Sequence, residues 1–183
     1  PKSHADVIVT KFLEGASTDE GFHRFDDVEI VSMYIDHVLE NDVGVGRAQK
    51  HGVPLHPSIR RALHNGAKEL NVDAVLLIGE HGDYPWNERG RHMYPRRYFF
   101  EQIAGVFSES KRVVPVFSDK HLAYDWHDAA WMWARKQELG IPLMAGSSLP
   151  LSWRQPWLEY DRGTVELDEV LALSYGSVEA YGY

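Results

Sequence analysis

Residues 77–90 read LIGEHGDYPWNERG, and within them Glu80, His81 and Asp83 place three ionisable groups in four residues. They follow directly on residues 72–78, an apolar run that reads as a buried strand. A second charged stretch, "SDKH" with Asp119, Lys120 and His121, follows the apolar "VVPVF" in the same way. Carboxylates, imidazoles and an amine at two strand ends admit two chemistries. In the first, Lys120 orients or protonates a substrate hydroxyl or carbonyl oxygen, and His81 or His121 relays the proton. In the second, Glu80, His81, Asp83, Asp119 and His121 make an N/O donor set that suits zinc or another divalent ion, and metal-assisted hydrolysis or lyase chemistry follows. A plain structural role is also open: Gly82 and Pro85 are turn residues, Asp83 can cap the turn, and Glu80 can pair with Arg96 or Arg97.

The elements that must position these groups alternate along the chain. Residues 28–36, "VEIVSMYID", read as a strand ending in charge. A helix around residues 44–52 stops at Gly52, and a second is expected across "PSIRRALHNGAKEL", residues 57–70. The strand "VDAVLLIG" precedes a helix over residues 95–110, in which Phe99, Ile103, Val106 and Phe107 recur at helical spacing. After the strand "VVPVFSD", Asp125 is placed to cap a helix, Asp128 stands three residues on as in a capping box, and Gly140 offers a stop. "IPLMAGSS" closes the series.

Strands alternating with helices of this length imply βαβ units and a parallel sheet covered on both faces. The expected class is α/β, a Rossmann-like doubly wound parallel sheet in three α/β/α layers. Loops at the carboxyl ends of such strands line the ligand crevice. Asp36 with His37, residues 80–83, residues 119–121 and Ser147 with Ser148 all stand at those ends.

The first residues read as a helix capped by Ser3, because the Gly- and Ser-rich residues 11–27 are too helix-poor to form a parallel crossover. The strand expected before that helix is absent from the chain, so the sequence reads as part of a longer protein. Residues 1–150 are expected to form the Rossmann-like domain, and residues 151–183 an extension leading toward a second domain.

Composition narrows the partners. With 183 residues, 44% hydrophobic and 25% charged, the chain can bury a sizeable core. Its net charge of −8 disfavours nucleic acid and anionic membranes, because the summed field repels phosphate. Zero cysteines exclude disulfides, thiolate metal sites and a cysteine nucleophile. No signal peptide and no membrane-length apolar run is present, so a cytoplasmic protein acting on a small molecule, with room for homo-oligomers, is expected. Trp153 and Arg154 could form a stacking and anion-binding lip, and Trp131 and Trp133 read as core or interface. His4, His23, His51, His56 and His64 read as ordinary solvent or capping histidines.

The order "VSMYID…GRAQKHGVPLHPSIRRAL…VDAVLLIGEH…VPVFSDKHLAYDWHDAAWMWARKQELGIPLMAGSS" resembles the nucleotide-binding half of the glucose-fructose oxidoreductase and inositol dehydrogenase (Gfo/Idh/MocA) family, across roughly residues 28–150. That resemblance implies NAD or NADP as cofactor and a sugar- or polyol-type substrate. Asp36 matches the family's ribose-reading Asp, and Lys120 the Lys of its Glu-Lys-Pro motif, with Asp119 in place of Glu and His121 in place of Pro. Glu80 and Ser147, on the other carboxyl-end loops, complete the cofactor-facing set. The family's Gly-rich phosphate loop has no counterpart here. Two further readings stay open beside the oxidoreductase: a metal-dependent hydrolase or lyase using the two charged loops, and a non-catalytic ligand-binding or assembly module.

Overall fold

Ser3 opens the first helix, α1 (His4–Glu14), its hydroxyl accepting the Asp6 N–H at 3.0 Å. The computed structural model describes residues 3–18, 20–147, 156 and 159–171. Gly15 ends α1 with φ of 92°, and a Cβ there would lie 2.5 Å from the Phe22 ring, so the turn needs glycine. The chain then forms a short antiparallel hairpin, β1 (Ala16–Thr18) and β2 (Gly21–His23), in the stretch read from sequence only as helix-poor.

Residues 28–36 depart from the sheet strand expected of them. They do not enter the parallel sheet, and among the described residues their one ladder-like contact is a parallel bridge of Met33 with Leu55. Met33 N–H donates to the Pro54 carbonyl at 2.9 Å and its carbonyl accepts from His56 N–H at 2.8 Å. Pro54 has no N–H with which to extend the ladder, and Val28 and Val31 stay exposed, so neither pairing nor burial holds a strand together.

Helix α2 (Gly44–Lys50) forms where expected, with Asp42 accepting from the N–H groups of Gly44 and Val45. Helix α3 (Ile59–His64) is shorter than the pattern implied. Asn65 and Gly66 take left-handed φ of 40° and 82°, and this Asn-Gly pair stops the helix well before Leu70.

The remaining elements run β3 (Val75–Leu77), α4 (Arg96–Ser110), β4 (Val116–Asp119), α5 (Trp126–Leu139) and β5 (Leu143–Gly146). Both β3 and β5 pair with β4 in parallel, in the order β3-β4-β5. Asp125 caps α5 by accepting from His127 N–H at 2.8 Å, and Gly140 ends it with φ of 67°. Asp128 turns to Arg97 at 3.3 Å, where a capping box would have used it on the backbone.

The core explains why the sheet holds. The register aligns Val75, Val116 and Leu143 on one face, where Leu77 and Val116 pack with Phe100, Ile103, Val106, Phe107 and Met132 from α4 and α5. On the other face Leu76, Phe117 and Met144 align, and α1 reaches the sheet at its carboxyl edge through His4. The chain is thus an α/β protein with a Rossmann-like parallel sheet flanked by helices. Phe100 is 0% exposed at the centre of the core, so Phe100→Ala is expected to destabilise it by about 3–5 kcal/mol, read as a lower urea midpoint at unchanged slope.

Residues 159–171 are exposed and carry no helix or strand. Ser148, Trp153 and Arg154 lie outside the described residues. No helix among the described residues is long and apolar enough to cross a membrane.

Candidate functional site

Two consecutive crossovers bring the loops after β3, β4 and β5 to one edge of the sheet. The loop after β3 passes Arg96, the first residue of α4, at Gly79. A Cβ on Gly79 would sit 2.7 Å from Arg96 Cγ, so glycine there lets Arg96 lie only 1% exposed beneath the loop. Glu80 is the next residue. Its Oε1 stands 3.3 Å from Lys120 Nζ, and its Oε2 stands 3.5 Å from His4 Nδ1 and 4.0 Å from Arg96 Nη2.

Asp119, at the end of β4, is buried and lies 2.8 Å from His4 Nδ1 through its Oδ2. Because a carboxylate only accepts, the proton of this contact sits on His4 Nδ1. Lys120 follows with its backbone N–H donating to the Gly146 carbonyl at 3.0 Å, which ties the end of β5, and Ser147 beyond it, to the same edge.

Arg96 also sets the state of His121. Guanidinium nitrogens only donate, so the 3.3 Å contact from Arg96 Nη1 makes His121 Nε2 the acceptor and leaves the ring neutral with its proton on Nδ1. Burial first, and the Arg96 charge second, push the His121 pKa down to about 4. The unfolded chain therefore binds a proton at His121 before the folded one does, and stability is lost as pH falls from about 6.5 toward 4. His121→Asn is expected to flatten that part of the stability–pH curve, as measured by urea unfolding across the interval.

Among the described residues, four that are not glycine have positive φ: Asn65, His81, Lys111 and Lys120. Asn65 and Lys111 are helix C-caps, where the left-handed conformation closes the last turn. His81 (64°) and Lys120 (68°) cap no helix and follow neighbouring parallel strands, so both carry backbone strain at this edge.

The expected residues divide clearly. Glu80, Asp119, Lys120 and His121 come together, with Ser147 one residue beyond the β5 contact. His81 is exposed, its ring 6.3 Å from that of His4. Asp83 is exposed as well, and its backbone N–H donates to His37 Nδ1 at 3.1 Å. Asp36 belongs to an aromatic group, accepting from the hydroxyls of Tyr34 and, at 2.7 Å, Tyr84, whose ring stacks on His37. Burial and then the Asp36 bond raise the Tyr84 hydroxyl above its usual range and move that of Tyr34 up to about 12.

His4 is the member that sequence reading missed. It lies 115 residues from Asp119, at the start of a helix, and nothing in its local pattern marks it. Among the described residues, the N/O donors close enough to share an ion are His4, Glu80 and Asp119, all within 4.8 Å of one another. His81, Asp83 and His121 are outside that group. For a dinucleotide, the described residues offer the strand-end crevice, with Asp36 outside the parallel sheet and already accepting from Tyr34 and Tyr84, but no Gly-rich turn onto a helix N-terminus for the pyrophosphate.

No protein-family model matches the chain, and no curated protein does. The chain is similar to a solved structure from Bordetella bronchiseptica RB50, described as a "putative dehydrogenase", at 16% identity and a TM-score of 0.44. The match covers 66% of this chain and 25% of that protein, so this chain spans about a quarter of its length.

Proposed function

We propose that this chain carries the site of an oxidoreductase acting on a hydroxyl or carbonyl group of a sugar- or polyol-type small molecule, with NAD or NADP as hydride partner. The observation that carries this reading is Lys120. A lysine held at φ of 68° at the carboxyl end of the central strand, its side chain 23% exposed and its ammonium 3.3 Å from Glu80, is costly to place and well placed to meet an oxygen. Glu80 fixes the direction of the ammonium, and Lys120 exchanges a proton with the substrate oxygen as it changes between hydroxyl and carbonyl. The carboxylates of Glu80 and Asp119 supply acceptors for further hydroxyl groups, and the Nδ1–H of neutral His121 supplies a donor. The net charge of −8 supports a small molecule over nucleic acid as partner.

The nicotinamide cofactor enters through the family resemblance. When bound it supplies the hydride site, with Asp36 as ribose reader sharing its carboxylate with Tyr34 and Tyr84. Among the described residues no Gly-rich loop is present to hold its pyrophosphate. Titration of NAD(H) and NADP(H) against the protein, followed by nicotinamide fluorescence and calorimetry, tests the reading. Saturable binding of one pair is expected, and absence of binding at millimolar concentration overturns it.

A further inference from the structure

We infer that His4, Glu80 and Asp119 form a divalent-cation site of the zinc or manganese class. Three separate elements supply the donors: the first turn of α1, the loop after β3 and the end of β4. One imidazole and two carboxylates are the N/O set these ions take. Zinc holds such donors at about 2.0–2.2 Å, which puts them roughly 3.4 Å apart in a tetrahedron. The His4 Nδ1 contacts, 2.8 Å to Asp119 and 3.5 Å to Glu80, bracket that spacing.

The state of Glu80 is the second, independent observation. Its Oε2 is buried and has no hydrogen-bond partner, although it faces the group. Its nearest donors, His4 Nδ1 at 3.5 Å and Arg96 Nη2 at 4.0 Å, make no hydrogen bond to it, and a cation would recover part of the cost of leaving it so. Its other oxygen is engaged by Lys120 at 3.3 Å, so the carboxylate is already oriented, as ligating carboxylates are by their outer contacts. The Nδ1–H of His4, directed at Asp119 and Glu80, occupies the place of the ion; for Nδ1 to ligate, the ring takes its other tautomer, with the proton on Nε2. Arg96, 4.0 Å from Glu80 Oε2, and Lys120 raise the local positive charge, which tempers affinity and favours an ion neutralised by both carboxylates. His4 is 40% exposed at the side chain, which gives the ion a route from solvent and leaves room for a non-protein ligand.

Calorimetric titration of the full chain with zinc and with manganese tests this site without any nicotinamide or substrate, so it stands or falls separately from the oxidoreductase reading. One ion per chain is expected. His4→Gln and Asp119→Asn are each expected to weaken binding by about tenfold or more, while His23→Gln, at an exposed histidine on β2, leaves it unchanged. Cobalt absorption gives a second readout: His4→Gln should alter the band of bound cobalt, with circular dichroism verifying the fold. Absence of stoichiometric binding overturns the site. So does binding that survives both His4→Gln and Asp119→Asn, or that His23→Gln weakens equally.

Discussion

Under the proposed oxidoreductase function, Lys120→Met is expected to lower turnover by roughly two to four orders of magnitude with the protein still folded. Methionine keeps most of the aliphatic stem and removes the ammonium that Glu80 holds at 3.3 Å. The loss should fall on turnover more than on substrate affinity, because the amine acts as charge moves onto or off the substrate oxygen. The left-handed backbone at residue 120 persists in the variant, since the Lys120 N–H bond to Gly146 does not involve the side chain. Rates of nicotinamide reduction with a panel of polyols measure the effect, and near-normal turnover in the folded variant would remove Lys120 from the chemistry.

Arg96→Met is expected to destabilise the fold by about 3–5 kcal/mol. Arg96 is 1% exposed and stands between Glu80, His121 and the Tyr94 ring, whose centroid is 5.2 Å from the guanidinium carbon. Removing it leaves Glu80 with Lys120 as its cationic neighbour, in a pocket where Glu80 is only 14% exposed at the side chain. The same variant separates the two causes of the His121 shift. With the Arg96 charge gone the His121 pKa should rise from about 4, yet burial, the larger cause, should keep it below the ordinary histidine value. Urea unfolding reads the first effect and NMR titration of His121 the second.

The meeting of Glu80 with residues 119–121 was legible, while the placing of His81 and Asp83 with them was not, because apolar runs ending in charge, alternating with helices, leave few topologies but do not fix each side chain of a loop. The capping residues Ser3, Asp125 and Gly140 were legible too, since a cap is a contact within one turn. Residues 28–36 misled for a matching reason: their apolar and β-branched pattern is that of a strand, but a strand also needs a partner, and Pro54 limits the one available. Residues 65 and 66 show a local signal outweighed by a longer one; the Asn-Gly pair ended α3 inside an otherwise helical pattern.

By itself the sequence determined the α/β class, the order β3-α4-β4-α5-β5 and the place where charge collects, because hydrophobic period, caps and strand-end polarity act over a few residues. The tertiary structure decided which charged groups share that place. It brought His4 to Asp119 across 115 positions, buried Arg96 under Gly79, and turned Asp83 and Asp36 to other partners. Those outcomes depend on how loops cross a finished sheet and on how buried charges must be paired, and neither condition exists until the chain has folded.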